Sequence, residues 1–270
     1  EAKPLAWIHI PKTGSSLANI IIKTPTMCPF LPPGLLLNAT TCPSSMEDPQ
    51  GGGMLAEFKA KFHPLEACPG SLAKWGNHVG VGDSFEEEYR GHGVIMMRQP
   101  EERLISSYNH FYHGWQWDLW GRAPSGVVEY ARAMSGCVTQ MLTGTGKHLC
   151  GGNASSAANE DTVRLAKQRL RGLVFVGLTE EWELSACLWR AKFGGRCLKS
   201  DLENIRPSVP TPDIPPFDPA TVPDLGGYRD PHDGDVYREA ASIFREELQL
   251  YGLNRTICRQ CYSHEWWLAV

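Results

Sequence analysis

Trp7-Ile8-His9-Ile10-Pro11-Lys12-Thr13-Gly14-Ser15-Ser16-Leu17 carries an apolar run into a Pro-Lys-Thr-Gly turn and then into a segment of helical character. That order predicts a strand, an anion-binding loop and the start of a helix, the opening unit of an α/β sheet. Backbone N–H groups at such a turn favour a phosphate or sulfate, and Gly14 lets the main chain come close to it. Lys12 adds a full positive charge, while Thr13, Ser15 and Ser16 add hydroxyl donors. A Walker A loop would instead need its lysine after the glycines, followed by a hydroxyl that binds magnesium. Here the lysine comes first. The same residues also fit an ordinary turn before an ordinary helix, so the loop needs a second element to give it meaning.

His92-Gly93-Val94-Ile95-Met96-Met97 reads as a short buried strand and runs into Arg98-Gln99-Pro100-Glu101-Glu102-Arg103-Leu104-Ile105-Ser106. Pro100 suits the first position of a helix. An arginine at the end of a strand and a serine two turns into that helix can meet on one phosphate, and the guanidinium fork of Arg98 suits bidentate binding. Taken singly, Arg98 and Arg103 also read as solvated surface charges and Ser106 as a small helix residue.

The two elements together resemble the sulfotransferases that use 3′-phosphoadenosine 5′-phosphosulfate (PAPS), in particular the Golgi carbohydrate branch that includes the heparan sulfate 2-O- and 6-O-sulfotransferases. In that family a His-Ile-Pro-Lys-Thr-Gly-type loop holds the 5′-phosphosulfate and an Arg-x-Pro-x-x-Arg-x-x-Ser segment holds the 3′-phosphate. Val174 to Glu181 is similar to the family's later strand and turn, and Asp235 through Phe244 to its closing helix. Gly14-Ser15-Ser16 departs from the Gly-Gly-Thr triplet common in relatives but keeps the hydroxyls. The resemblance implies PAPS as donor and PAP as product, bound by Lys12, Thr13, Gly14, Ser15, Ser16, Arg98 and Ser106. It implies a histidine base between the two motifs, an interval that His78 occupies, with Lys12 beside the leaving phosphate. His63, His92, His110 and His113 compete with His78. No metal is expected. The acceptor is a hydroxyl, most simply of a carbohydrate; a small alcohol or a protein hydroxyl is the alternative. The fold also fits a nucleotide- or glycan-binding protein without catalysis, or a variant P-loop kinase, although no Walker B-type acidic strand end is evident.

The 270 residues are 42% hydrophobic, enough for one sizeable core, and predict a single domain over 1–270 with an open, largely parallel sheet flanked by helices. A net charge of −4 argues against a nucleic-acid binder. Nine cysteines, with the sequons Asn38-Ala39-Thr40, Asn153-Ala154-Ser155 and Asn254-Arg255-Thr256, favour the secretory lumen. An odd count leaves one thiol outside any intrachain pairing, and Cys258-x-x-Cys261, with no second such pair, reads as structural. No apolar run reaches the roughly eighteen residues that span a bilayer. The family implies a signal anchor ahead of this sequence, and hence a type II protein of the Golgi lumen.

Between these landmarks, residues 24–53 read as an irregular insertion that Cys28 and Cys42 could staple. A helix is expected over 54–62, and Lys74 to Asp83 reads as a short strand with His78 at its start. The aromatic and histidine cluster Tyr108 to Trp120 suits a sugar ring, or equally seals the core. Helices are expected over 126–134, 156–170 and 180–192, a strand over 173–178, and a closing helix from Asp235. Cys137 and Cys150 fall in an expected loop. Seven prolines between 206 and 223 rule out a helix there and mark a cleft edge or lid.

Overall fold

Ala6–Ile8 (β1) is buried along its whole length, as a strand must be when it has neighbours on both sides and helices over its faces. The computed structural model describes residues 4–32, 34–38, 40–41, 58, 61, 68, 74–75, 78–146, 150, 158–204 and 225–263. β1 pairs in parallel with Gly93–Met97 (β4), with Ile8 opposite Ile95, and β4 pairs in parallel with Phe175–Leu178 (β6), with Met97 opposite Leu178. The two-residue strand Lys74–Trp75 (β2) adds to the outer side of β1, giving the order β2-β1-β4-β6. The chain therefore leaves β1 in one direction to make β2 and returns past β1 to make β4 and β6. The topological switch point falls between β1 and β4, where open α/β sheets bind ligands outside the strands' carboxyl ends.

The flanking helices follow the apolar spacing of the sequence. Leu17–Ile22 (α1) buries every residue. Phe85–Glu88 (α2) precedes β4, and Pro100–Tyr108 (α3) follows it with Pro100 in the first turn. Trp117–Trp120 (α4) and Val127–Ala133 (α5) come next, then Cys137–Thr143 (α6) and Glu160–Arg171 (α7). Trp182–Phe193 (α8), Asp233–Leu250 (α9) and Arg255–Ser263 (α10) complete the described chain. Trp189 of α8 packs edge-on against Phe175 of β6 and donates its Nε1 proton to Thr24 Oγ1 at 2.8 Å, which ties α8 to the end of α1.

Several expectations need correction. Lys74 to Asp83 is not one strand: Lys74–Trp75 belongs to the main sheet, whereas Gly80–Val81 (β3) pairs antiparallel with Thr145–Gly146 (β5). His78 lies between them with a left-handed φ of 51°. Cys137 opens α6 instead of lying in a loop. Cys28 bonds to Cys68, not Cys42. Cys42, most of the expected helix over 54–62, His63, Asn153 and the proline-rich 206–223 segment lie outside the described residues. The other bridges are Cys137–Cys150, Cys187–Cys258 and Cys197–Cys261. Both cysteines of the Cys-x-x-Cys pair are thus structural, fastening α10 to α8 and to the segment that follows it. Four disulfides are the mark of a secreted or luminal domain. No helix among the described residues is long and apolar enough to cross a membrane.

The same region holds a buried ion pair. Arg190 binds Asp201 through two bonds, Nε to Oδ2 at 2.9 Å and Nη2 to Oδ1 at 2.7 Å, with both side chains almost wholly out of solvent. Arg190 also donates to Lys23 O at 3.0 Å. Removing one partner strands the other charge, so Arg190→Met should lower unfolding free energy by about 3 to 5 kcal/mol. Urea unfolding of the oxidised protein measures this, and a loss below about 1 kcal/mol would mean the pair is solvated.

Candidate functional site

The four parallel strands send the loops 9–16, 98–99 and 179–181, together with residues 78–79, out of one edge of the sheet. Every site residue expected from sequence except Ser106 lies in these loops, and Ser106 lies half-buried two turns along α3. What joins the loops is the hydroxyl of Thr179. It faces two carbonyl oxygens, Thr13 O at 2.9 Å and Met97 O at 3.0 Å, and its amide donates to Met97 O at 2.8 Å. The residue after β6 thereby ties the anion loop after β1 to the end of β4, immediately before Arg98.

Within the loop, Lys12 (φ 65°) and Gly14 (φ 96°) both take the left-handed conformation, which turns the chain sharply back towards α1. A Cβ at Gly14 would stand 2.8 Å from Trp182 Cζ3, so glycine is required here for space as well as for φ. Trp182 is held in turn by its Nε1 proton on Asp201 O at 2.7 Å, the same residue that binds Arg190. The carbonyls of Gly14, Ser15 and Ser16 accept from Leu17, Ala18 and Asn19. The N–H groups of Gly14, Ser15 and Ser16 donate to no carbonyl among the described residues. Three successive amides beside a lysine form a concave donor set for an anion. The six-residue α1 is too short to add much of a dipole, so the amides and Lys12 carry the positive potential.

The hydroxyls do not behave alike. Thr13 is buried and its Oγ1 donates to Ile10 O at 2.9 Å, so this side chain shapes the loop from inside. Ser15 and Ser16 remain half-buried at the surface of the turn.

Across the switch point, Arg98 is half-buried. Its Nε is out of solvent with no hydrogen-bond acceptor among the described residues, and it forms an ion pair with Glu102 Oε2 at 3.6 Å. Gln99 caps α3 by accepting from Glu102 N at 2.8 Å, and its own amide donates to the Glu180 carboxylate. Tyr237 of α9 reaches the other Glu180 oxygen at 3.5 Å, and burial, then the charge of Glu180, push that phenol up to about 12. Arg103 is no surface charge: it is 1% exposed and faces Asp233 Oδ2 at 3.4 Å. Asp233 also accepts from the amides of Val138 and Thr139 at 2.9 Å each, so Arg103 anchors α3 against the starts of α6 and α9.

The histidines sort themselves by position. His92 is buried at the amino end of β4, where its carbonyl accepts from Ala6 N and its Nδ1 lies 3.1 Å from Arg90 O, far from the strand ends that matter. His78, His110 and His113 converge with His9. The His78 ring meets His9 edge-on at 4.5 Å and His113 at 5.2 Å, His110 stacks towards His113 at 6.1 Å, and Trp7 stacks on His9 at 4.3 Å. His9 is three residues from Lys12 and its place in this array was not read from sequence; its position one residue beyond an apolar strand was the available signal. Thr179 and Trp182 were likewise missed as residues that shape the loop.

The aromatic run over 108–120 divides between the two roles considered for it. Trp115 is buried and donates to Arg122 O at 2.8 Å, joining Leu104, Tyr130 and Met134 in a second apolar cluster. Phe111 and Trp120 stand 43% and 37% exposed. Phe111 and Tyr112 hold consecutive left-handed φ values of 53° and 52°, a turn that carries His113 back onto His78. Among the described residues no group of three or more His, Cys, Asp or Glu could hold a metal ion. A separate cleft of about 500 Å³ is lined by Glu160, Val163, Arg164, Lys167, Pro231, His232 and Asp235, none of them residues of the strand-end loops.

No protein-family model, curated protein or solved structure matches the chain.

The joint made by Thr179 is open to direct test. Thr179→Val keeps the shape but deprives the Thr13 and Met97 carbonyls of the donor they share, which should cost about 1 to 3 kcal/mol of stability. Anion binding should weaken with it, because the loop is no longer tied to the strand that leads to Arg98. Calorimetric titration with inorganic sulfate alongside urea unfolding would separate the two effects; unchanged values in both would show that the joint is dispensable.

Proposed function

We propose that the protein is a PAPS-dependent sulfotransferase that sulfates a hydroxyl of a carbohydrate acceptor. The observation that carries this reading is the pairing of two anion-binding sets across the sheet's switch point. On one side stand Lys12 and the amides of Gly14, Ser15 and Ser16; on the other stands Arg98, whose buried Nε makes no hydrogen bond among the described residues and has the Glu102 carboxylate 3.6 Å away. Two separated anion sites on neighbouring strands suit a nucleotide with phosphate groups at both its 5′ and 3′ ends. The family resemblance of the two motifs supports the same donor.

PAPS, when bound, supplies the sulfuryl group and a phosphate leaving group. Lys12 and the loop amides hold the 5′ end and neutralise the charge that grows on the bridging oxygen as the phosphate departs, while Arg98 and Ser106 hold the 3′-phosphate. His78 removes the proton of the attacking hydroxyl. Its left-handed backbone and its contacts with His9 and His113 support that role, since strained residues collect at working sites. Phe111 and Trp120, exposed on the segment that bears His110 and His113, support an acceptor with apolar ring faces and polar edges, as a sugar has. No step requires a metal. The disulfides support a secretory compartment as the place of action, and the family resemblance supports the Golgi lumen within it.

PAP should raise the melting temperature without added metal, by about 2.7 kcal/mol of stabilisation at a hundred times its Kd. Arg98→Ala should weaken PAP binding by about 1.5 to 3 kcal/mol, roughly ten- to a hundredfold in Kd, and Ser106→Ala by less. Calorimetry measures both, and stabilisation by magnesium-ATP alone would point to a kinase instead.

His78→Ala should keep the fold and PAP affinity while turnover falls by about 10²- to 10⁴-fold, assayed with labelled PAPS over an acceptor panel. The rate should fall as pH drops through the pKa of the base, and that acidic limb should vanish from the mutant's residual activity. Full turnover in His78→Ala would move the base to His113 or His110.

A further inference from the structure

Of the three sequons, Asn254-Arg255-Thr256 has all three residues exposed. It follows the turn that ends α9, where Gly252 takes a left-handed φ of 63° and Leu253 packs back against the core. Asn254 then caps α10: its Oδ1 accepts from Ile257 N at 3.0 Å, and its carbonyl accepts from Cys258 N at 2.9 Å. The carboxamide oxygen takes the cap bond, which leaves Nδ2 of this exposed residue outside the cap. The intervening Arg255 pairs with the Glu181 carboxylate at 2.5 Å, and Asn254 itself is exposed. Asn38 contrasts with this. It is half-buried, and its Oδ1 takes the amides of Thr40 and Thr41 at 2.9 and 3.1 Å, folding the carboxamide over its own turn.

We propose that Asn254 is a modification site and carries an N-linked glycan. The chemistry needs a lumen that also supplies disulfides, and two bridges close onto the very helix that Asn254 caps, at Cys258 and Cys261. In the transfer, Asn254 Nδ2 loses one proton to a base of the host transferase and forms an N–C1 bond to the first sugar of a polyisoprenyl-diphosphate oligosaccharide. The C1–O bond breaks, and the lipid diphosphate leaves with the electron pair. The folded structure accommodates the product, since the cap uses Oδ1 and leaves Nδ2 outside.

The test is secretion of the full chain, behind a cleavable signal, from a eukaryotic host, followed by peptide-N-glycosidase digestion in H₂¹⁸O and mass spectrometry. The peptide that holds residue 254 should appear mainly as ¹⁸O-labelled aspartate. The mobility step of one glycan should vanish in both Asn254→Asp and Thr256→Ala. Asn254→Asp retains an N-cap acceptor, so its melting temperature isolates the loss of the glycan from loss of the cap. Thr256→Ala removes the sequon with Asn254 intact, and so covers the case in which the aspartate variant fails to fold. Secreted, fully bridged protein with unmodified Asn254 would overturn the proposal, as would protein that this host retains with free thiols.

Discussion

One hydroxyl, that of Thr179, faces the carbonyl of Thr13 and the carbonyl of Met97, and through it three strand-end loops become a single surface. A parallel sheet brings its loops to one edge but does not fix their mutual positions; backbone groups beyond the last ladder bond must find partners elsewhere. Here they find the side chain of the residue that follows β6. The consequence is that Lys12 and Arg98, which lie on different sides of the switch point, have their separation set by a hydrogen-bonded joint.

That joint rests on two buried polar supports, one for each half of the site. Beneath the anion loop, Trp182 fills the space that a side chain at Gly14 would need, and Trp182 is held by the turn whose Asp201 pairs with Arg190. Beneath the second half, Arg103 and Asp233 fasten α3 to α6 and α9. Each support is a buried charge pair, where loss of one partner is costly because it strands the other charge. Loops with left-handed residues at Lys12, His78, Phe111 and Tyr112 can persist only on such a base.

Much of the fold was legible in the sequence, and the reasons are local. Strands at 6–8, 93–97 and 175–178 read as short apolar runs between turn residues, and the helix at 100–108 was announced by Pro100 after a strand. The parts that were not legible depend on distant partners. Strands of two residues at 74–75 and 80–81 are too short to show a period. Arg103 reads as a surface charge until Asp233, 130 residues later, is folded against it. Disulfide pairing is equally non-local, so Cys28 could be matched with its nearer neighbour in sequence when it belongs with Cys68. In the site, the turn at 11–16 after the first strand and the place of Arg98 at the end of the next were readable because residue type and turn chemistry announce them. The inward turn of the Thr13 hydroxyl and the meeting of His9, His78 and His113 were not, since both are set by how loops pack after the sheet has formed.

The claim at the centre of this account is that two anion sites, one on each side of the switch point, bind one nucleotide. Backbone amide and arginine Nε resonances of isotopically labelled protein, followed during titration with PAP in metal-free buffer, test it at the atoms concerned. The account predicts that the amides of Gly14, Ser15 and Ser16 and the Nε–H of Arg98 shift together, with one common Kd. Shifts confined to other residues, or a loop and an arginine that respond with different affinities, would contradict it.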